Sequence, residues 1–159
     1  MKRNIYLDFS YLILLAASFG AVIVLGAFVA PVVFHTDKIL HTLVVDNYNA
    51  GIIMGEVFHR FSYWVYFLAF GIASYELASY KMGQRDTYVF VSAVSAVFSS
   101  LMFSAVYSPK ILEMQSFGAE ATQSDTFANV HYASELDFKI LAISLLVLFI
   151  RRLSLLRTS

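Results

Sequence analysis

The run YLILLAASFGAVIVLGAFVAPVVF, residues 11 to 34, contains no charged side chain. A helix needs about 20 apolar residues to cross the hydrocarbon core of a bilayer, and this run exceeds that length. A helix on the surface of a water-soluble protein carries a polar stripe along its outer face, which is missing here. The run follows Lys2 and Arg3, as a secretory leader would. It is too long for a leader, however, and no small-residue cleavage site opens into polar sequence behind it. The expectation is a permanent membrane helix.

The rest of the chain repeats the pattern. Apolar stretches fall at about 9–34, 50–80, 87–107 and 132–150, which predicts a single all-α domain over residues 1–159. Its expected architecture is a four-helix transmembrane bundle with up-down-up-down topology. The composition agrees: 59% of the 159 residues are apolar, 16% aromatic and only 14% charged, far from a soluble mixture. The short polar link KMGQRD, residues 81 to 86, makes the second and third helices adjacent and antiparallel. Longer connections are expected at about 35–49 and 108–130, the latter with room for a short amphipathic helix bearing Ile111, Leu112, Met114 and Phe117.

Basic residues set the orientation. Lys2, Arg3, Lys81, Arg85, Arg151, Arg152 and Arg157 fall on one side, Lys38 and Lys110 on the other. By the positive-inside rule both termini are cytoplasmic, as in a multi-pass protein of a bacterial inner membrane. The absence of cysteine removes disulfides, thiolate metal sites and cysteine nucleophiles. A formal net charge of zero, with no basic stripe, excludes nucleic acid as a partner and leaves the lipid bilayer, other membrane proteins or further copies of the chain.

Chemistry concentrates in two of the four segments. GIIMGEVFHRF, residues 51 to 61, places Glu56, His59 and Arg60 in an apolar helix, and the fourth segment carries His131, Glu135 and Lys139. Glu56 with Arg60 and Glu135 with Lys139 are i, i+4 pairs with the acid first, the favourable order on a helix. At about 1.5 Å per residue, with entries near residues 50 and 131, the acids lie roughly 6 to 9 Å deep and the bases roughly 12 to 15 Å. Isolated charges at such depth cost about 2.5 to 3.5 kcal/mol each, so the two stripes are expected to face the interior and each other. Asp137 points away from Glu135 and has no evident partner. The serines Ser92, Ser95, Ser99 and Ser104 of the third segment read as hydroxyls bonded to their own helix or across an interface.

Two functional readings follow. Glu56-x-x-His59 has the i, i+3 spacing by which one helix offers two metal ligands, and His131-x-x-x-Glu135 is its i, i+4 counterpart. With His35 these residues form a candidate metal set suited to copper, zinc or iron. Two facing histidines are also an axial pair for haem. Arg60 and Lys139 beside them repel a bare cation and suit an anionic group such as a haem propionate or a phosphate head group. Binding or passage of a metal ion or metallocofactor in the outer half of the bundle is one reading, and no residue is assigned catalysis. The other is a structural or assembly subunit of a larger membrane complex, whose buried charges fix helix register.

The segments GAFVAPVVFH (26–35), NAGIIMGEVFHRFSYW (49–64), YSPKI (107–111) and FANVHYASELDFKI (127–140) resemble the transmembrane protein 205-like family of small four-helix membrane proteins. The resemblance spans nearly the whole chain and is carried by Pro31, Phe34, Asn49, Gly51, Phe58, Pro109, His131 and Ser134. It implies an integral membrane four-helix bundle. An animal branch of that family is associated with resistance to platinum drugs, and bacterial four-helix proteins that handle copper or haem are distantly similar. It marks Asn49 and Ser134 as further site candidates, and attaches Glu56-x-x-His59 to no family ligand motif.

Overall fold

The structure, a computed structural model, describes residues 5–42 and 44–157. Lys2 and Arg3, counted above for orientation, lie outside the described residues. Among the described residues the chain is mostly α-helical, with one 3-10 turn at Ala121–Gln123 and no strand. Five helices follow one another: α1 (Ile5–Phe34), a short α2 (Thr36–Leu40), α3 (Asn47–Lys81), α4 (Thr87–Ser116) and α5 (Asp125–Arg157). Of these, α1 and α4 are each long and apolar enough to cross a membrane.

Two of the helices run through a proline, and each does so by the same device. In α1 the segment Val24–Val29 widens into a π-turn, so that the Ala30 amide donates to the Leu25 carbonyl five residues back, immediately before Pro31. In α4 the segment Met102–Tyr107 does the same, the Ser108 amide donating to the Phe103 carbonyl ahead of Pro109. A proline ring inside a regular α-helix collides with the carbonyl four residues before it and has no N–H to donate. The wider turn moves that carbonyl aside and lets the helix continue. Hence α4 does not stop at residue 107 as expected but extends to Ser116, carrying Ile111, Leu112 and Met114 as its last turns.

The same spacing recurs elsewhere. The two π-turns and the two prolines are each 78 residues apart. So are the starts of α3 and α5, where Asp46 and Ser124 accept the amides of Asn49 and Phe127 at 2.8 and 3.2 Å. Such caps satisfy amides that have no partner inside the helix. The chain is therefore built from two helical hairpins on one plan, α1 with α3 and α4 with α5.

Contacts arrange the long helices in a square. Both α1 and α4 pack against α3 and α5, whereas α3 and α5 meet only marginally and sit diagonally. Leu15, Val65, Leu68, Ile72, Ala96, Leu141, Leu145 and Leu148 fill the centre with no residual exposure. The outside is as apolar as the inside: Ile13, Phe28, Tyr63, Phe70, Phe98 and Ile143 all project outward, Phe70 at 72% exposure. A water-soluble monomer rarely exposes contiguous apolar patches of more than a few hundred Å².

The end of the molecule bearing the 82–86 link is tied by charge. Gly83 adopts φ +89°, the left-handed turn that closes α3 and that a side chain would resist. Asp86 caps α4 by accepting the Val89 amide at 3.0 Å, and Arg151 of α5 donates to its other oxygen at 2.6 and 3.0 Å. The Arg151 guanidinium, with the Val89 amide, holds the Asp86 carboxyl below the usual carboxylate range. Beside it Arg152, only 4% exposed, donates to both carboxylate oxygens of Glu76 and, at 2.8 Å, to Gln84. Tyr11 donates to Glu76 at 2.8 Å and stacks on Tyr75, whose hydroxyl bonds Asp8. Three long helices and the link thus meet in one satisfied polar network.

Candidate functional site: a side-opening cavity

At the opposite end the square is hollow. A cavity of about 980 Å³ lies between the ends of the long helices and the 119–123 segment, within the 300 to 1,000 Å³ typical of small-molecule sites. Its back wall is buried, Met54 and Gly55 from α3 and Phe103, Ser108 and Gln115 from α4, with the half-buried Phe58 beside them. Phe58, Phe103 and Phe138 pack edge to face or tilted, with centroids 5.0 to 5.5 Å apart. The front is open. Gly26, Ala27 and Pro31 of α1, and Glu135 and Lys139 of α5, line the cavity and are exposed, so its mouth lies between α1 and α5.

Both proline-linked π-turns border this space, through Gly26 and Ala27 on one side and Phe103 on the other. Small residues on α1 leave the gap unfilled. On α3, Gly51 and Gly55 form a notch that receives the Gln115 side chain: a Cβ on Gly55 would stand 2.6 Å from Gln115 Oε1. Gln115 is anchored there by its own backbone carbonyl, which accepts the Tyr48 hydroxyl at 2.9 Å.

The expected polar constellation is divided by this geometry. Glu56, His59 and Arg60 are exposed on α3 and lie off the cavity, so the two charged stripes do not meet, and each acid is paired with a base of its own helix. Glu56 binds Arg60 at 2.7 Å, with the two side chains 54% and 78% exposed. His59 is exposed and packs its ring edge on Tyr63. None of these three lines the cavity. By contrast His35, His131, Ser134, Glu135 and Lys139 all do. Glu135 lies 3.4 Å from His131 Nε2 and 3.5 Å from Lys139 Nζ. His131 stacks on Phe127, and Ser134 donates to the His131 carbonyl. His35 bonds the Pro31 carbonyl through Nδ1. Asn49 serves the α3 cap, its side chain donating to Asp46 at 3.2 Å.

The set His35, Glu56, His59, His131 and Glu135 therefore does not converge. Among the described residues no group of three or more His, Cys, Asp or Glu side chains is placed to hold a metal ion. Asp137, without a partner in the sequence, is buried; Ser99 donates to its carboxylate, and its Oδ2 has no hydrogen-bond partner among the described residues. Ser95 joins Ser144 of α5 at 2.8 Å, as the interfacial reading of the serine stripe predicts.

Sequence reasoning missed the Asp8–Tyr75 and Tyr11–Glu76–Arg152 links entirely. Asp8 and Glu76 each interrupt an apolar run near the basic end of a helix, and that was the available signal. The cavity was also missed, since its open side is bordered by the small Gly26 and Ala27, whose missing bulk leaves no pattern to read.

The chain matches, over residues 13–120, the family described as domain of unknown function DUF4149. That match covers most of the chain, and the protein belongs to this family. No curated protein and no solved structure matches it.

Proposed function

We propose that this DUF4149 member is a four-helix integral membrane protein whose cavity binds an amphipathic molecule admitted from the side. The apolar outer surface supports the membrane placement, and the cavity, with an apolar wall and a few polar groups near its mouth, carries the binding reading. The helices α1, α3, α4 and α5 cross up-down-up-down, with both termini and the Glu76–Arg152 network on the cytoplasmic side, as in a bacterial inner membrane. Its fold-level kinship with the transmembrane protein 205-like family belongs to the same proposal.

The long helices explain why charges near the cavity tolerate exposure. With 35 and 33 residues, α3 and α5 exceed what the hydrocarbon needs. Counting about 20 residues outward from Glu76 and Arg151 reaches Glu56 and His131. Glu56 and His131 then fall at the outer interface, with Arg60 and Lys139 about 6 and 12 Å inside it, from where long side chains extend toward water.

Gentle purification followed by native mass spectrometry tests the reading. A bound lipid-like mass is expected on the unmodified protein and is expected to be lost in Ala27→Phe, which places a ring in the mouth. A chain that carries no such mass, even after incubation with lipid, refutes it. Metal passage through His35, His131 and Glu135 is the second reading, favoured by their presence in one lining, and stoichiometric copper, zinc or iron in the same preparation would select it. An assembly role would show as a stoichiometric protein partner bound to the exposed Glu56–Arg60 face.

A further inference from the structure

The polar groups at the mouth differ in how well they are satisfied, and that difference bears on what enters. Lys139 is 65% exposed on the lip, and its nearest carboxylate, Glu135, is 3.5 Å away, beyond a good N–H···O distance. The ammonium is ion-paired with Glu135 but makes no hydrogen bond among the described residues, so its donors can still turn to a guest. Glu135 is placed between two bases, His131 at 3.4 Å and Lys139, and its charge is already shared by both. Between α1 and α5 the lining combines Lys139 and Glu135 with the apolar Phe138, Ala142, Ile23 and Gly26.

We infer that the guest is an anionic amphiphile, an alkyl chain ending in an oxyanion, with the carboxylate or phosphate on Lys139 and the chain along the Gly26 and Phe138 wall. This rests on the cavity being a ligand site, as proposed above. An ammonium whose paired carboxylate stands at 3.5 Å and is shared with His131 is completed by an oxyanion through charge-assisted hydrogen bonds. A cationic head group would meet like charge at the lip, and the one acid there already has two partners. A neutral alcohol can accept one hydrogen bond from Lys139 but brings no charge to it.

Four chain-matched photoreactive probes, each with a diazirine in a sixteen-carbon chain, separate these possibilities in nanodiscs of phosphatidylcholine. They end in a carboxylate, a phosphate, a hydroxyl or a trimethylammonium, and labelled residues are mapped by mass spectrometry. The two anions are expected to label the cavity wall at about tenfold lower concentration than the alcohol, the size of one charge-assisted contact. The quaternary amine is expected to label least. Lys139→Gln should erase the preference and Lys139→Arg should keep it, both at an exposed position that leaves packing intact. Preference for carboxylate over phosphate, or the reverse, tells a free fatty acid from a phospholipid as the source. Equal wall labelling by alcohol and anions overturns the anion inference while the ligand cavity stands. No wall labelling by any probe overturns both.

Discussion

Gly55→Ala adds one methyl at the tightest point of the cavity's back wall. The new Cβ would stand 2.6 Å from Gln115 Oε1 and 3.1 Å from Leu112 Cδ2, while Gln115 itself is buried and held by Tyr48. The amide must swing out of its notch, and the open direction is the cavity. Overpacking of this kind costs about 1 to 3 kcal/mol, against which alanine gains about 0.8 to 1 kcal/mol of helix propensity over glycine. The net is a loss of roughly 0 to 2 kcal/mol. Gly20→Ala is the internal control, because a Cβ there meets nothing within 4 Å and only the propensity gain remains. Thermal unfolding in mild detergent should therefore rank Gly20→Ala above the parent and Gly55→Ala at or below it. Gln115→Ala in the Gly55→Ala background should recover part of the loss, as coupled neighbours do. If Gly55→Ala gains as much as Gly20→Ala, the notch is not tight and the reasoning fails.

Two further outcomes concern the tied end of the molecule. Glu76→Ala leaves the buried Arg152 without its carboxylate and is expected to destabilise by about 3 to 5 kcal/mol; a loss below 1 kcal/mol in a denaturant titration would show that the network contributes little. Asp86 has a folded pKa below its unfolded value of about 3.9, so its contribution is complete above that pH and is lost as pH falls through the lower folded value. Arg151→Gln should then flatten the decline in melting temperature below about pH 4, and parallel curves for the two proteins would contradict the assignment.

What was legible in the sequence was whatever periodicity and length encode. The apolar runs predicted the long helices, and KMGQRD predicted the sharp link that Gly83 and Asp86 build. The helix ends were less legible, because Pro31 and Pro109 look like breakers and the π-turns that accommodate them leave no mark in composition. Pairing was least legible. Glu56–Arg60 and Glu135–Lys139 were read correctly as pairs within a helix, but which face of α3 turns inward depends on packing, and that decided whether the stripes could meet. The largely buried ion pair of Arg152 with Glu76 joins residues 76 positions apart, and its arginine was counted only for topology.

The mouth between α1 and α5 opens sideways, toward where acyl tails would lie, and this sets the terms on which any occupant competes. On the membrane placement proposed above, such a molecule would first dissolve in the bilayer, and its occupancy would track its mole fraction among the surrounding lipids rather than its concentration in the aqueous phase. A poorly soluble compound would reach the protein by two-dimensional diffusion, and swapping the host lipid would alter binding as surely as mutating the protein.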